Sequence, residues 1–140
     1  MMDRAALDHK AEERVELSFP ATLSQLSLAR LVTVAIMSRA DFDGDSVEDL
    51  RMAMDEACTQ LIARAPEGAE IRCTFTSTID GVIITVASAH GSDVEVQQSG
   101  LGWHIIEALT DSAVVRSPGG ANGARTSIIE LRKRKGGTAP

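Results

Sequence analysis

Gly100-Leu101-Gly102-Trp103-His104-Ile105-Ile106-Glu107-Ala108-Leu109 is the stretch on which the reading of this chain turns. Two glycines bracket one leucine, and apolar residues at helical spacing begin at once. Glycine lets a backbone come close to a ligand and take conformations that other residues resist. The start of a helix adds unpaired N–H groups and the positive end of its dipole, which suits an anion such as a phosphate. A glycine pair ahead of a helix also serves as a plain turn, so a second feature is needed. It lies upstream, between Asp49 and Ile62, where Glu56 and Gln60 stand four apart.

Leu50, Ala53, Met54, Ala57 and Leu61 give that upstream segment a continuous apolar stripe at helical spacing. Ser46, with Asp49 three positions on, has the form of a capping box and predicts the helix start; Pro66 and Gly68 predict its end. At 100° per residue Glu56 and Gln60 fall one turn apart, beside the stripe rather than opposite it. A carboxylate at the edge of a core can serve as a general base. An amide oxygen one turn later can hold a magnesium ion that phosphates also hold, because magnesium takes hard oxygen ligands. The same two residues could equally be a solvated helix face.

Working outward, Val15, Leu17 and Phe19 alternate as a strand, with Pro20 at its boundary. Leu28, Leu31, Val32, Ala35 and Ile36 predict an amphipathic helix. Asp41 to Asp45 form an acidic turn, whose glycine and Met52 are misplaced for a calcium loop. Ile71, Cys73 and Phe75 alternate, Val82 to Val86 is a β-branched run, and Asp80-Gly81 between them predicts a hairpin with a primed turn. Ser88 to Ser99 is polar and predicts a mobile loop. Ala113 to Val115 and Thr126 to Leu131 predict two further strands, with a glycine-rich loop over residues 118–123. The sum is one α+β domain, a sheet with helices on one face. Residues 1–14 read as a mobile arm, 15–132 as the domain and 133–140 as a disordered tail.

Composition fits. The chain has 140 residues, 44% hydrophobic, with 14 basic against 20 acidic residues and a net charge of −6, which argues against a direct nucleic-acid binder. Arg132-Lys133-Arg134-Lys135 reads as a solvated strand end. Cys58 and Cys73 sit in apolar patterns and read as buried free thiols, which predicts a reducing, cytoplasmic setting. No stretch has the form of a signal peptide or a bilayer span, so no membrane partner is expected. His9, His90 and His104 lack ligand spacing, so no zinc site is expected. Trp103 reads as packing and His104 as helix surface.

Asp49-Leu50-Arg51-Met52-Ala53-Met54-Asp55-Glu56-Ala57-Cys58-Thr59-Gln60-Leu61-Ile62 resembles the N box of the GHKL, or histidine-kinase-like, ATPase superfamily, where a Glu and an Asn stand four apart. Gly100-Leu101-Gly102 with its helix resembles the second glycine box, and Thr126 sits where the last strand often carries a threonine near the nucleotide. The short chain, from about Val15 to Leu131, is similar to the stand-alone RsbW-like anti-sigma factors. The resemblance implies a Bergerat-type two-layer sandwich with a mixed, mostly antiparallel sheet. It implies a homodimer that sequesters an alternative sigma factor, of the stress or sporulation (sigma-F or sigma-B) kind. Release falls to an anti-anti-sigma partner, a STAS-domain protein, and active members phosphorylate a serine of that partner with ATP and magnesium. Carried over, Glu56 is the base, Gln60 the magnesium ligand, Gly100, Leu101 and Gly102 the phosphate cradle, and Ser88 to Ser99 part of the lid.

Two positions depart from the pattern. Gln60 replaces the Asn, one methylene longer. The first glycine box presents an Asp to the adenine amino group, whereas Val86-Ala87-Ser88-Ala89-His90-Gly91 offers only Ser88 or Ala89 there. Losing a charged buried hydrogen bond costs ~1–3 kcal/mol, or roughly 10- to 100-fold in affinity. Either ATP binds weakly, or other residues are used, or nucleotide control has decayed. Two functions follow: an anti-sigma factor that works by occlusion with a degenerate ATP site, or an active serine kinase of the anti-anti-sigma factor.

Overall fold

A computed structural model describes residues 13–90, 96–118 and 125–136; Gly91, which the resemblance to the first glycine box implies as a nucleotide-binding residue, lies outside them. Strand β1 (Glu13–Pro20) begins two residues before the expected domain boundary, with Phe19 buried and Val15 and Leu17 partly so. After a 3-10 turn comes α1 (Leu26–Arg39), whose buried face is Ala29, Thr33, Ile36 and Met37. Of the expected stripe only Ile36 is buried; Leu28 and Ala35 face solvent, and Leu31 is 68% exposed. Residue type misled here because Thr33 hides its hydroxyl by donating to the Ala29 carbonyl at 2.8 Å, so a threonine can pack as if apolar.

Helix α2 (Gly44–Arg64) starts two residues earlier than expected. Its cap is Asp43, not Ser46: the Asp43 carboxylate accepts from the Ser46 backbone N–H at 2.7 Å. The predicted stripe is buried throughout, joined by Cys58. Gly68, at φ 84°, turns the chain into β2 (Glu70–Ser77), with Ile71, Cys73 and Phe75 buried. β3 (Gly81–His90) pairs antiparallel with it. The Asp80-Gly81 hairpin forms without the primed turn expected, since Gly81 does not have positive φ. Glycine is needed there for another reason: a Cβ would collide with the Lys133 carbonyl oxygen of the neighbouring strand.

β3 runs on through Ser88 to His90, so the start of the expected loop is strand, and Val96 within that segment is buried. Helix α3 (Leu101–Leu109), β4 (Ser112–Arg116) and β5 (Arg125–Arg134) complete the chain. β5 carries three of the four residues of the basic run, past the boundary expected at residue 132. Lys133 there donates to the Leu109 carbonyl at 3.0 Å and lies 3.6 Å from Asp49, tying α2 and α3 to the sheet.

The five strands lie in the order β1-β2-β3-β5-β4, antiparallel at every described pairing, in keeping with the mostly antiparallel sheet that the resemblance implied. α2 packs against both α1 and α3 and lies across β2, β3 and β5. One core fills the space between the layers, with Phe75, Ile84, Ile129 and Leu131 meeting Leu50, Met54, Leu61 and Ile106. The other face of the sheet carries ion pairs such as Arg116–Glu130 and Arg132–Glu130, both at 2.9 Å. Among the described residues no helix is long and apolar enough to cross a membrane.

Candidate functional site

The axis of α2 sets the site. Arg30 on α1 clamps Asp55 through both carboxylate oxygens, at 2.9 and 3.0 Å, and Arg51 holds Glu48 at 2.8 Å while lying 3.7 Å from Asp55. This network fixes the rotation of α2 one residue before Glu56. It leaves Glu56 and Gln60 on the side that meets α3. An added Cβ on Gly102 would sit 2.7 Å from Glu56 Oε1 and 3.2 Å from Gln60 Nε2. Gly102, more than forty residues further along the chain, therefore meets Glu56 and Gln60 at one point.

That point is the first turn of α3. Gly100 caps the helix without a side-chain hydrogen bond, and the first bond closing the helix is His104 N–H to the Gly100 carbonyl at 3.2 Å. The preceding N–H groups of the turn carry the dipole's positive end with no side-chain cap over them. Leu101 is 76% exposed, and its side chain brings no polar group to the turn. The Gln60 side-chain oxygen is buried and has no hydrogen-bond partner among the described residues. An amide oxygen left so is short of a donor or a cation. An orphaned oxygen and a glycine whose Cβ would fill the gap are what a phosphate-held divalent ion requires of its protein side. Among the described residues no cluster of three acidic, histidine or cysteine side chains could cage a metal alone. One amide ligand, with phosphate oxygens and water making up the rest, is the mode such a donor set permits.

Ser88, at the expected adenine position, is buried on the helix side of β3, and its register partner across β5 is Ser127, also buried. Thr126 is set by strand alternation on the opposite face from Ser127. It lines, with Glu70, Arg72, Ala87 and Ser88, a cavity of about 360 Å³ that Glu56 and Gln60 do not reach. The serine that shares the face of Ser88 is thus Ser127, one position on from the residue picked out in the sequence. The alternation of buried Ile129 and Leu131 was the signal that could have found it.

Trp103 is buried and His104 exposed, with His104 4.0 Å from Glu107. Cys58 and Cys73 are free and buried. The Cys73 thiol beside it, and then burial, push the Cys58 thiol well above its ordinary range, so it is no nucleophile.

Residues 19–129 match the family model of the histidine kinase-like ATPase domain. The anti-sigma-F factor RsbW of Mycobacterium tuberculosis is 37% identical over 97 residues, which cover 69% of this chain and 58% of that protein. The chain thus spans somewhat over half the length of this relative. The serine-protein kinase RsbW of Bacillus velezensis is 25% identical over 146 residues, covering 89% of this chain and 91% of the relative. The enzyme of the same name from Bacillus pumilus is 25% identical over 142 residues, covering 85% and 88%.

Proposed function

The chain belongs to the histidine kinase-like ATPase domain family, and we propose that within it the protein is an anti-sigma factor. It sequesters an alternative sigma factor of the sigma-F or sigma-B kind in the cytoplasm and yields it to a STAS-domain anti-anti-sigma partner. The observation that carries the nucleotide part of this reading is the convergence of Glu56 and Gln60 on Gly102 at the open first turn of α3. The name of the mycobacterial relative supports the sigma-binding part, and those of the Bacillus relatives support the serine-kinase chemistry. Bound magnesium–ATP would supply a transferable phosphoryl group. Gln60 would offer its side-chain oxygen to the metal, and the α3 N–H groups would face phosphate oxygens. Glu56 would accept the proton of the partner's serine hydroxyl.

The site is degenerate in this reading, since Gln60 is longer than the family's Asn and Ser88 brings no charge. Sequestration is a surface property and outlasts the loss of transfer. A homodimer joined through β1 and α1 is part of the proposal. The free edge of β1 and the exposed Leu23, Leu28 and Leu31 support it.

Glu56→Ala tests the division of labour. Sigma affinity, read by interferometry, should stay within about threefold of wild type, a change below ~1 kcal/mol, and any serine phosphorylation of the partner that the wild type shows should vanish. Loss of sigma binding in a folded variant would couple the cleft to the partner surface. Retained transfer would remove Glu56 from the mechanism.

A further inference from the structure

Helix α3 carries only two polar side chains, His104 and Glu107, yet buries only Trp103 and Ile106. Leu101 and Ala108 are exposed and Ile105 is half-buried. Their i, i+4, i+7 spacing sets the three in one stripe, on the outward side opposite the buried pair. A helix so apolar is ordinarily covered all round. On α2, Met52 lies one turn before Glu56 and is 42% exposed.

The two helices run antiparallel. Gly102 abuts Glu56 and Gln60 at one end, and Lys133 ties the Leu109 carbonyl to Asp49 at the other. Met52 is therefore level with Ile105, and with the α3 stripe it borders a groove that starts at Glu56. Past its apolar part stand the carboxylates of Asp45, Asp49 and Glu107. Lys133 offsets Asp49, and His104, 4.0 Å from Glu107, offsets it only when protonated. Two stretches of the chain outside the described residues suit this groove poorly as a cover. Gly91-Ser92-Asp93-Val94-Glu95 is acidic like the rim, and Gly119-Gly120-Ala121-Asn122-Gly123-Ala124 has almost no apolar bulk.

We propose that this groove seats the protein whose serine Glu56 deprotonates, taking an apolar side chain of that partner about 6 Å from the serine and a basic one about 10 Å from it. The inference deepens the reading above and rests on it. A protein hydroxyl can reach Glu56 only if the surface around it covers the adjoining groove, which is apolar first and acidic beyond. The two distances are those from Glu56 to Met52 and to Asp49 along α2, at about 1.5 Å per residue. Burial of the stripe supplies affinity, and the acidic rim supplies orientation and choice of partner.

The purified STAS-domain proteins of the same organism are each titrated against the full chain by interferometry without nucleotide, and magnesium–ATP is titrated by calorimetry. Met52→Ser and Ala108→Glu, both at the surface, should weaken the STAS protein that binds the wild type by about tenfold or more. Affinities for magnesium–ATP and for the sigma factor should stay within about threefold. Thermal melts establish that each variant is folded, and either variant decides the matter if the other is not. Folded variants that keep the STAS protein within about threefold, or that lose magnesium–ATP or the sigma factor as strongly, overturn the inference and leave the partner reading standing. A wild-type chain that binds no STAS-domain protein overturns the partner reading and the inference with it. A wild-type chain that binds no magnesium–ATP overturns the nucleotide reading, and partner affinity in the two variants then decides the groove.

Discussion

Gly102→Ala separates the stability of the fold from the working of the site. The new methyl carbon would sit 2.7 Å from Glu56 Oε1, about 0.7 Å short of the 3.4 Å at which ordinary contact begins. What must yield is the free end of a flexible side chain, not backbone, so the clash is relieved by swinging Glu56 aside. Alanine also favours helix over glycine by up to ~1 kcal/mol, less near a helix start. The two effects oppose one another, and net stability should stay within about 1 kcal/mol, or roughly 4 °C in Tm. Function should respond far more. A carboxylate displaced by most of an ångström can lose on the order of 100-fold in transfer, and magnesium–ATP affinity should fall about tenfold as Gln60 is crowded as well. Melting curves, calorimetry and phosphate transfer on the same preparation read all three. Repeating the substitution in a Glu56→Ala background removes the main clash, so the alanine should there be more favourable by a few tenths of a kcal/mol or more. A Tm drop beyond about 10 °C in the single variant would mean Glu56 cannot move. Equal nucleotide affinity in variant and wild type would mean that α2 and α3 do not frame the site.

Three further outcomes are expected. Gln60→Asn, with its shorter amide, should tighten magnesium–ATP binding by a few-fold; unchanged or weaker binding by calorimetry would remove Gln60 from the metal position. For Glu130, burial raises the carboxyl, but hydrogen bonds from Arg132 and Arg116 together outweigh it and hold the group below its ordinary 4.5. Its stabilising share is therefore present above that value and lost as pH falls through the lowered one. Glu130→Gln should melt below wild type at pH 7, with the gap closing below about pH 4; a gap that is constant with pH would refute the ion-pair account. Light scattering at micromolar concentration should return the mass of a dimer, and a monomer would end the proposal for β1 and α1.

Much of this architecture was legible because periodicity reports burial directly. The stripe from Leu50 to Leu61 and the alternation of Ile71, Cys73 and Phe75 are buried as their spacing requires. What escaped depended on polar groups that find partners locally or across the fold. Thr33 satisfies its hydroxyl within α1 and moves the buried face away from Leu31. Asp43, not Ser46, caps α2 because the carboxylate three residues before an N–H is the one that reaches it. Gly81 answers to a strand brought beside it by the sheet, which no local pattern encodes. In the site, Glu56 and Gln60 were visible as a pair one turn apart. Their meeting with Gly102 needed α3 to be placed, and Ser127 needed the β3–β5 register.

In vitro transcription tests the central claim most directly. RNA polymerase core enzyme is charged in turn with each alternative sigma factor of the same organism, on a promoter that the factor recognises. The account predicts that an equimolar amount of this chain abolishes transcription by one such factor and that its STAS-domain partner restores it. It also predicts that the principal sigma factor is untouched and that inhibition does not require ATP. Transcription by every alternative sigma factor persisting in an excess of the folded chain would contradict it.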